Sequence, residues 1–342
     1  MSDLYLLKEL CIANGVSGNE QSIRDIILKE VKAYVKDIKV DALGNILVFK
    51  KGKNQAKTKL MISCHMDEVG FIVKYITDDG FIKFDSVGGI DTKVICGKRV
   101  CIGENKINGV IGVKPIHLLK DEEKDKKIKI YNLYIDIGAN NKEDALKHIN
   151  IGDFIYFESD FSIDGDIIKG KALDDRAGCF ILINMLKNEI EYDTYFAFLV
   201  QEEIGLHGAT TAAYQINPDA SIVVDATTAA DIAGVDDKNQ VCKLKKGAVI
   251  SFMDKSTIYD KEYFNKALSL AKEHNIEVQI KQAVVGGNDA GAIHKSRAGV
   301  RTIAVSLPCR YIHSPLGMIT KEDLTSTQKI VEKLAENIAG DR

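Results

Sequence analysis

The spacing of apolar residues divides the chain into three stretches, of which the first ends near residue 66. Apolar positions recur at helical intervals at the N-terminus and again over 20–36, and short apolar runs follow at 38–41, 46–49 and 59–64. These patterns predict two helices followed by three strands. The third strand runs directly into His65.

The second stretch, 67–167, consists of short β-rich segments separated by turn signals, with one short helix near 142–148. Beyond residue 170, helices alternate with strands. The predicted helices are 174–188, 208–215, 260–274, 288–295 and 321–338, and the predicted strands are 194–201, 221–226, 247–252, 276–280 and 301–306. Such alternation is typical of a largely parallel sheet covered by helices. We therefore expect one α/β domain, formed by 1–66 and 168–342, that is interrupted by a β-rich insertion over 67–167.

Composition narrows the class of partner. The 342 residues are 45% apolar and carry a net charge of −3, which are ordinary globular values and exclude a largely disordered chain. The near balance of charge argues against a nucleic-acid partner, and no apolar run is long enough for a membrane span. The N-terminus lacks the basic and apolar regions of a signal peptide. The seven cysteines include no CxxC pair and are typical of buried thiols in a reducing cytosol, so we expect a cytoplasmic protein.

Histidine and carboxylate residues stand at the ends of several predicted strands, whereas the GxxxxGK[ST], GxGxxG, HExxH and GxSxG motifs are missing. Strand periodicity places His65 and Asp67 on one side, so Asp67 can orient the His65 ring while the other ring nitrogen binds a metal. The remaining candidates are Asp174, Asp175, Glu202, Glu203, Asp225 and His313. Each alone could be a helix cap, a solvated strand end or a loop histidine. Together they lie where open α/β sheets bind ligands, and they supply the donors that two adjacent divalent ions need.

Six segments carry these residues in a fixed order. They are SCHMDEVGFIV (63–73), GKALDDRAGC (170–179), QEEIGLHGA (201–209), VVDAT (223–227), GGNDAGAI (286–293) and RYIHSP (310–315). Together they resemble the tetrahedral aminopeptidases, the dinuclear metallo-exopeptidases that include glutamyl and deblocking aminopeptidases. The resemblance spans 63–315 and so covers nearly the whole chain. It implies an α/β fold with an inserted β-barrel that mediates dimerisation, and assembly into a hollow tetrahedral dodecamer that admits peptides.

The resemblance also implies a role for each site residue. One metal ion would be bound by His65, Asp174 and Asp225, and a second by Asp174, Glu203 and His313, with Asp174 bridging. Glu202 would be the general base, Asp67 would orient His65, and the peptide bond between Asp174 and Asp175 would be cis. The cofactors would be two divalent ions per subunit, with zinc or cobalt favoured over manganese. The substrates would be peptides with free N-termini, attacked by a metal-bridging water.

Three residues depart from the family pattern or have open roles. Asn288 stands where Thr is commoner, and His207 stands where Arg is common. Either difference could alter the substrate pocket. Asp289 has two interpretations, because it could cap a short helix beside the site or contact the substrate.

Three competing classes are distinguished by particular features. Related dinuclear amidohydrolases and carboxypeptidases share the order of site residues, but their extra domain follows the Glu pair, whereas here it lies between Asp67 and Asp174. A glycoside hydrolase needs two carboxylates roughly 5–10 Å apart across a sugar, and would leave His65 and His313 without a function. A non-catalytic binding protein is expected to lack the general base, yet Glu202 is present.

Overall fold

The computed structural model describes residues 4–124 and 126–341. Its first elements are α1 (Leu4–Ile12), α2 (Gln21–Val31), β1 (Asp37–Val40), β2 (Ile46–Lys50) and β3 (Leu60–His65). Helix α2 buries Ile23, Ile27 and Val31 along one face, as its apolar spacing predicts. The predicted helix 20–36 is too long, because α2 ends at Val31 and the apolar Tyr34 beyond it is exposed.

The segment after β3 forms a closed β-barrel. Its elements are β4 (Gly70–Ile76), β5 (Ile82–Val87), β6 (Arg99–Ile102), β7 (Ile107–Gly112), α3 (Asp121–Lys124), β8 (Tyr134–Asp136), α4 (Lys142–Ala145) and β9 (Phe154–Phe157). The strands follow one another around the barrel as β4-β5-β8-β7-β6-β9, and all pairings are antiparallel. Alternate residues such as Phe71 and Val73 point into a hydrophobic core that belongs to the barrel itself.

Helices and strands alternate through the rest of the chain, as predicted. The elements are β10 (Ser162–Asp164), β11 (Ile167–Gly170), α5 (Leu173–Lys187), β12 (Thr194–Leu199), α6 (His207–Ile216), β13 (Ala220–Thr228), β14 (Ala248–Ile250), α7 (Lys261–Glu273), β15 (Val278–Ile280), α8 (Ala290–Ile293), β16 (Arg301–Cys309), β17 (Gly317–Thr320) and α9 (Lys321–Gly340). The expectation of an α/β fold with an inserted β-barrel is therefore confirmed.

An eight-stranded mixed sheet organises the α/β part, with strand order β1-β2-β12-β3-β13-β16-β14-β15. Its central strands β12, β3, β13 and β16 run parallel. Strand β3 is buried along its whole length, which explains its continuous apolar run, and α5 packs against β3 and β13. Because β3 and β13 are parallel neighbours, they bring His65, the last residue of β3, close to Asp225, which lies inside β13 before its end at Thr228.

A smaller sheet, β10-β11-β17, lies outside the sequence prediction. Its strands have only three or four residues, so they lack a run long enough to show alternation. Strand β17 pairs with β11 and leads into α9, so the small sheet fixes the chain after the loop that contains His313. Strand β16 of the large sheet precedes the same loop.

Two expectations from composition can be compared with the structure. All seven cysteines are unpaired and six are buried, but Cys96 is half-buried, so the expectation of a buried thiol is wrong at that position. Over the residues that the structure describes, no helix combines the length and apolar character needed to cross a membrane.

Candidate metal centre

His65, the last residue of β3, is almost fully buried. Its Nε2 atom lies 3.1 Å from Asp174 Oδ1 and 3.7 Å from Asp225 Oδ1. Asp225 comes from β13, the neighbouring parallel strand. Possible ligand atoms of these three residues all lie within 4.8 Å of one another. The structure thus brings together the three residues that the sequence predicted for one ion.

Asp174 faces two groups of side chains at once. It lies in the first turn of α5, where its backbone is not helical, and its peptide bond to Asp175 is cis, as predicted. Its Oδ1 atom faces His65 at 3.1 Å, whereas its Oδ2 atom lies 3.6 Å from His313 Nε2. The same His313 nitrogen is 3.2 Å from Glu203 Oε2. Asp174, Glu203 and His313 form a second group with ligand atoms within 4.8 Å.

Asp67 fixes the backbone of the glutamate pair. Its Oδ1 accepts a hydrogen bond from the Glu202 amide at 3.0 Å, and its Oδ2 accepts from the Glu203 amide at 3.2 Å and the Ser17 hydroxyl at 2.5 Å. The Nδ1 atom of His65 lies 3.1 Å from the carbonyl oxygen of Asp67 and 3.5 Å from its Oδ1. The sequence indicated the proximity to His65. It gave no signal for Ser17, which lies 50 positions away in the chain, or for the two amides, because backbone donors look alike at every position.

Two adjacent glycines of the barrel border the site. Gly88 has φ +85°, a conformation that favours glycine. A Cβ atom at this position would lie 2.8 Å from Val69 Cγ1 and 3.3 Å from Glu203 Cβ. A Cβ atom on Gly89 would lie 3.6 Å from His313 Nδ1. The inserted barrel therefore forms one wall of the candidate metal centre, which the sequence prediction missed.

The site concentrates negative charge away from water. Burial raises the pKa of Glu202 well above its usual value, and repulsion from Asp289 adds to this effect while His65 opposes it. Burial and the neighbouring Asp174 likewise raise the pKa of Glu203. Burial alone would lower the pKa of His65, but hydrogen bonds with Asp174 and other carboxylates raise it well above 6.5. A cation placed among these groups would offset their repulsion.

The donor set fits divalent cations. It offers imidazole nitrogen and carboxylate oxygen without a thiolate, and two groups of three donors share Asp174. A third group of His65, Glu202 and Glu203 also lies within 4.8 Å, so Glu202 borders the same space. A shared carboxylate between two sets of ligands is the arrangement expected of two neighbouring ions.

The hydrogen bonds at the start of α8 decide whether Asp289 caps this helix. Asn288 Oδ1 accepts a hydrogen bond from the Ala290 amide at 2.9 Å, and its side chain also bonds the Tyr259 hydroxyl. Asp289 forms no capping bond, so the interpretation of Asp289 as a helix cap is wrong. Among the described residues its buried Oδ1 has no hydrogen-bond partner, and burial raises its pKa to about 8. Asp175, in contrast, does cap, since its Oδ1 accepts from an amide within α5 at 2.9 Å.

Comparison with known proteins agrees with this fold. Residues 44–330 match the family model of the M42 glutamyl aminopeptidases. The lysyl aminopeptidase of Pyrococcus furiosus is 32% identical, over 99% of this chain and 98% of its own length. The crystal structure of a TET aminopeptidase from a marine sediment Thaumarchaeota archaeon superposes with a TM-score of 0.94 at 32% identity, covering 98% of this chain and 96% of that one. The TET1 peptidase of Pyrococcus horikoshii, which can assemble into a tetrahedron or a large octahedral shell, superposes at 0.84 with 36% identity over 99% of each chain.

These matches identify the protein as a peptidase. The chain belongs to the M42 glutamyl aminopeptidase family, and the family resemblance seen in its sequence is confirmed. The family is one of metallopeptidases, so membership implies the use of divalent metal ions, in agreement with the donor set.

Proposed function

We propose that this chain is a dinuclear metal-dependent aminopeptidase that removes N-terminal residues from peptides. The observation that carries the proposal is the orientation of Asp174, which directs one oxygen towards His65 and the other towards His313. In this proposal His65, Asp174 and Asp225 hold one ion. Asp174, Glu203 and His313 hold the second.

The remaining residues of the site would perform the proton transfers. Bound divalent ions would lower the pKa of a bridging water and polarise the scissile carbonyl. Glu202, which groups with one proposed ligand of each ion, His65 and Glu203, would accept the proton of the attacking water and pass it to the leaving amine. The Asp67 carboxylate would keep Glu202 in place by accepting a hydrogen bond from the Glu202 backbone amide. The excess of carboxylates favours a substrate with a free amino terminus.

The ligand chemistry restricts the choice of metal. Two histidine nitrogens and carboxylate oxygens suit zinc or cobalt, with manganese as the third candidate. The seven unpaired cysteines belong to none of the three ligand groups and suit a reducing cytoplasm, where we place the enzyme.

A cleft supports the assignment of peptides as substrates. It has a volume of about 700 Å³ and lies between the barrel segment that contains Lys93 and Lys98 and the loop of Tyr311 to Leu316. His313 also lines it, so the cleft opens beside the candidate metal centre. This space is of the size that encloses small-molecule and short peptide ligands.

The barrel supports a proposal about assembly. We propose that 67–167 is an insertion that mediates dimerisation of the catalytic domain, formed by 1–66 and 168–342, and that the dimers build a tetrahedral dodecamer. The insertion exposes the large apolar side chains of Val110, Ile116, Leu118 and Tyr131, which is typical of a surface that another chain covers. The self-assembly of the TET1 relative supports the same conclusion. Sedimentation that shows only monomers with metal present would contradict it.

A matched pair of variants tests the catalytic proposal. Glu202→Gln should keep two metal ions per chain and lose about 10²–10⁴-fold in kcat, since it removes only the base. The control, Glu203→Gln, alters the next residue and should lose metal as well as activity. The assay is hydrolysis of amino-acyl p-nitroanilides with and without chelator, beside a cellulose oligomer that should remain intact. An unchanged kcat in Glu202→Gln, or cleavage of the oligomer alone, would overturn the proposal.

A further inference from the structure

Three charged side chains form a buried cluster beside the candidate metal centre. Glu68, Lys171 and Arg176 are between 0% and 4% exposed. The Lys171 ammonium donates to both oxygens of Glu68, at 2.6 and 2.7 Å, and Arg176 Nη2 lies 3.5 Å from Glu68 Oε1. We call these residues the buried charge cluster. None of them is among the proposed metal ligands.

The buried charge cluster binds the segment that follows α1. Arg176 Nη1 donates to the Leu10 carbonyl at 2.6 Å, and Lys171 Nζ donates to the Ala13 carbonyl at 3.2 Å. Glu68 accepts a hydrogen bond from the Gly15 amide at 3.0 Å, and the Glu68 amide donates to the Gly15 carbonyl at the same distance. The segment 10–17 is thereby fastened to the turn after β3 and to the start of α5.

The position of the cluster in the sequence connects it to the site. Glu68 follows Asp67, whereas Lys171 and Arg176 stand on either side of Asp174. The same 10–17 segment continues to Ser17, whose hydroxyl donates to Asp67. The cluster therefore ties together the two chain segments that carry Asp67 and Asp174, the first of which holds the glutamate pair.

The charges of the cluster make this tie rigid. Buried ions are tolerated only when paired and hydrogen-bonded, so each of the three side chains has few alternative positions. Two cations and one anion leave one net positive charge next to a site rich in carboxylates. Ordinary apolar packing could fill the same space, but it would not specify the spacing of the two segments through directional bonds.

We propose that Glu68, Lys171 and Arg176 are positioning residues that set the distance between the Asp67 and Asp174 segments and so hold the two oxygens of Asp174 ready for two ions. This inference rests on the proposed dinuclear function. Partners that orient metal ligands typically change metal affinity or activity by about 10- to 100-fold when removed.

Three variants test the positioning role. Glu68→Gln leaves two buried cations without their anion and could fail to fold. The double variant Glu68→Gln with Lys171→Met removes one charge of each sign, keeps the net charge of the cluster, and should recover folding. Arg176→Lys keeps the charge but cannot reproduce the fork of hydrogen bonds. The control is Asp323→Asn, which alters a buried carboxylate that accepts from the amides of residues 245 and 247.

Metal retention is measured on the zinc-loaded chain, dialysed against increasing concentrations of chelator, together with urea unfolding, kcat and KM. In the double variant we expect half the zinc to be lost at about 10- to 100-fold lower chelator concentration, with a comparable fall in kcat and with KM changed less. The cobalt-loaded variant should show an altered visible spectrum. Asp323→Asn should unfold earlier but keep zinc and kcat.

The two proposals fail in different ways. If the wild-type chain retains neither zinc nor cobalt nor manganese, the dinuclear function fails before any variant is compared. If the wild type retains zinc and the variants that fold match it in zinc retention, cobalt spectrum and kcat, the positioning role is overturned while the dinuclear function stands.

Discussion

Replacing Asp67 by Asn tests how the glutamate pair is held. The carboxylate accepts three hydrogen bonds, from the Glu202 amide, the Glu203 amide and the Ser17 hydroxyl. Asparagine keeps one acceptor oxygen and replaces the other by an NH₂ donor. In either orientation this donor faces a backbone N–H of the glutamate pair. The substitution therefore removes at least one bond to a charged acceptor and leaves a buried donor unpaired.

The size of the effect follows from these contacts. A hydrogen bond to a charged group contributes about 1.5–3 kcal/mol, and an unsatisfied buried donor costs about 1–3 kcal/mol. We therefore expect Asp67→Asn to lower the free energy of unfolding by about 3 kcal/mol. Because a displacement of about 1 Å of a catalytic group can cost 10²-fold in rate, kcat should fall by about that factor.

The assay combines urea unfolding with kcat on an amino-acyl p-nitroanilide and the metal content of the purified chain. Asp41→Asn is the matched control, because Asp41 Oδ1 also accepts three backbone amides, from Leu43, Gly44 and Asn45, in a turn remote in sequence from every site residue. The control should lose stability and keep its kcat. If Asp67→Asn keeps both wild-type stability and wild-type kcat, the account of the glutamate pair is wrong.

Two further predictions concern Gly88, in the wall of the site, and the buried Asp289. Gly88→Ala should lower kcat about tenfold or more, because its Cβ would meet Val69 and Glu203. The control Gly97→Ala is also at positive φ, but no other described atom lies within 4 Å of its Cβ, so it should lower only stability. Equal kcat losses in the two variants would show that the contact with Glu203 is irrelevant. Between pH 3.8, the ordinary pKa of Asp289, and about pH 8, the folded metal-free chain keeps a proton on this residue, whereas the unfolded chain has released it. The free energy of unfolding should therefore fall as pH rises through that window. Asp289→Asn should reduce this dependence of stability on pH and stabilise the metal-free chain at pH 8 by at least about 1.4 kcal/mol, the value of one pKa unit. The measurement is calorimetric unfolding of the wild type and the variant at pH 5 and pH 8. An equal change of stability with pH in the two chains would refute the prediction.

Two of the predicted site residues lie on parallel neighbouring strands of the large sheet. His65 and Asp225 each end an apolar run, and the parallel arrangement of β3 and β13 brings such ends together without any further information. The fold class followed in the same way from the change between strand-rich and alternating stretches. This pairing accounts for the proximity of His65 and Asp225, whereas Asp174 comes from the first turn of α5 and His313 from the loop after β16.

The parts that the sequence did not predict depend on contacts between distant residues. Ser17 reaches Asp67 across 50 positions, and Arg176 reaches Leu10 across 166, and neither pair has a spacing that local periodicity could show. Gly88 could have been identified as a residue needed for positive φ, but its contact with Glu203 depends on how the barrel sits against the sheet. Asp289 was misassigned in one interpretation because Asn288, next to it, is an equally good cap.

The most direct test of the central claim is the anomalous scattering of a zinc-loaded crystal of the wild-type enzyme. The proposal predicts two peaks in each chain, about 3.5–4 Å apart, with one oxygen of Asp174 on each. His65 and Asp225 should complete the first site, and Glu203 and His313 the second. A single peak, or two peaks that do not share Asp174, would contradict the dinuclear account.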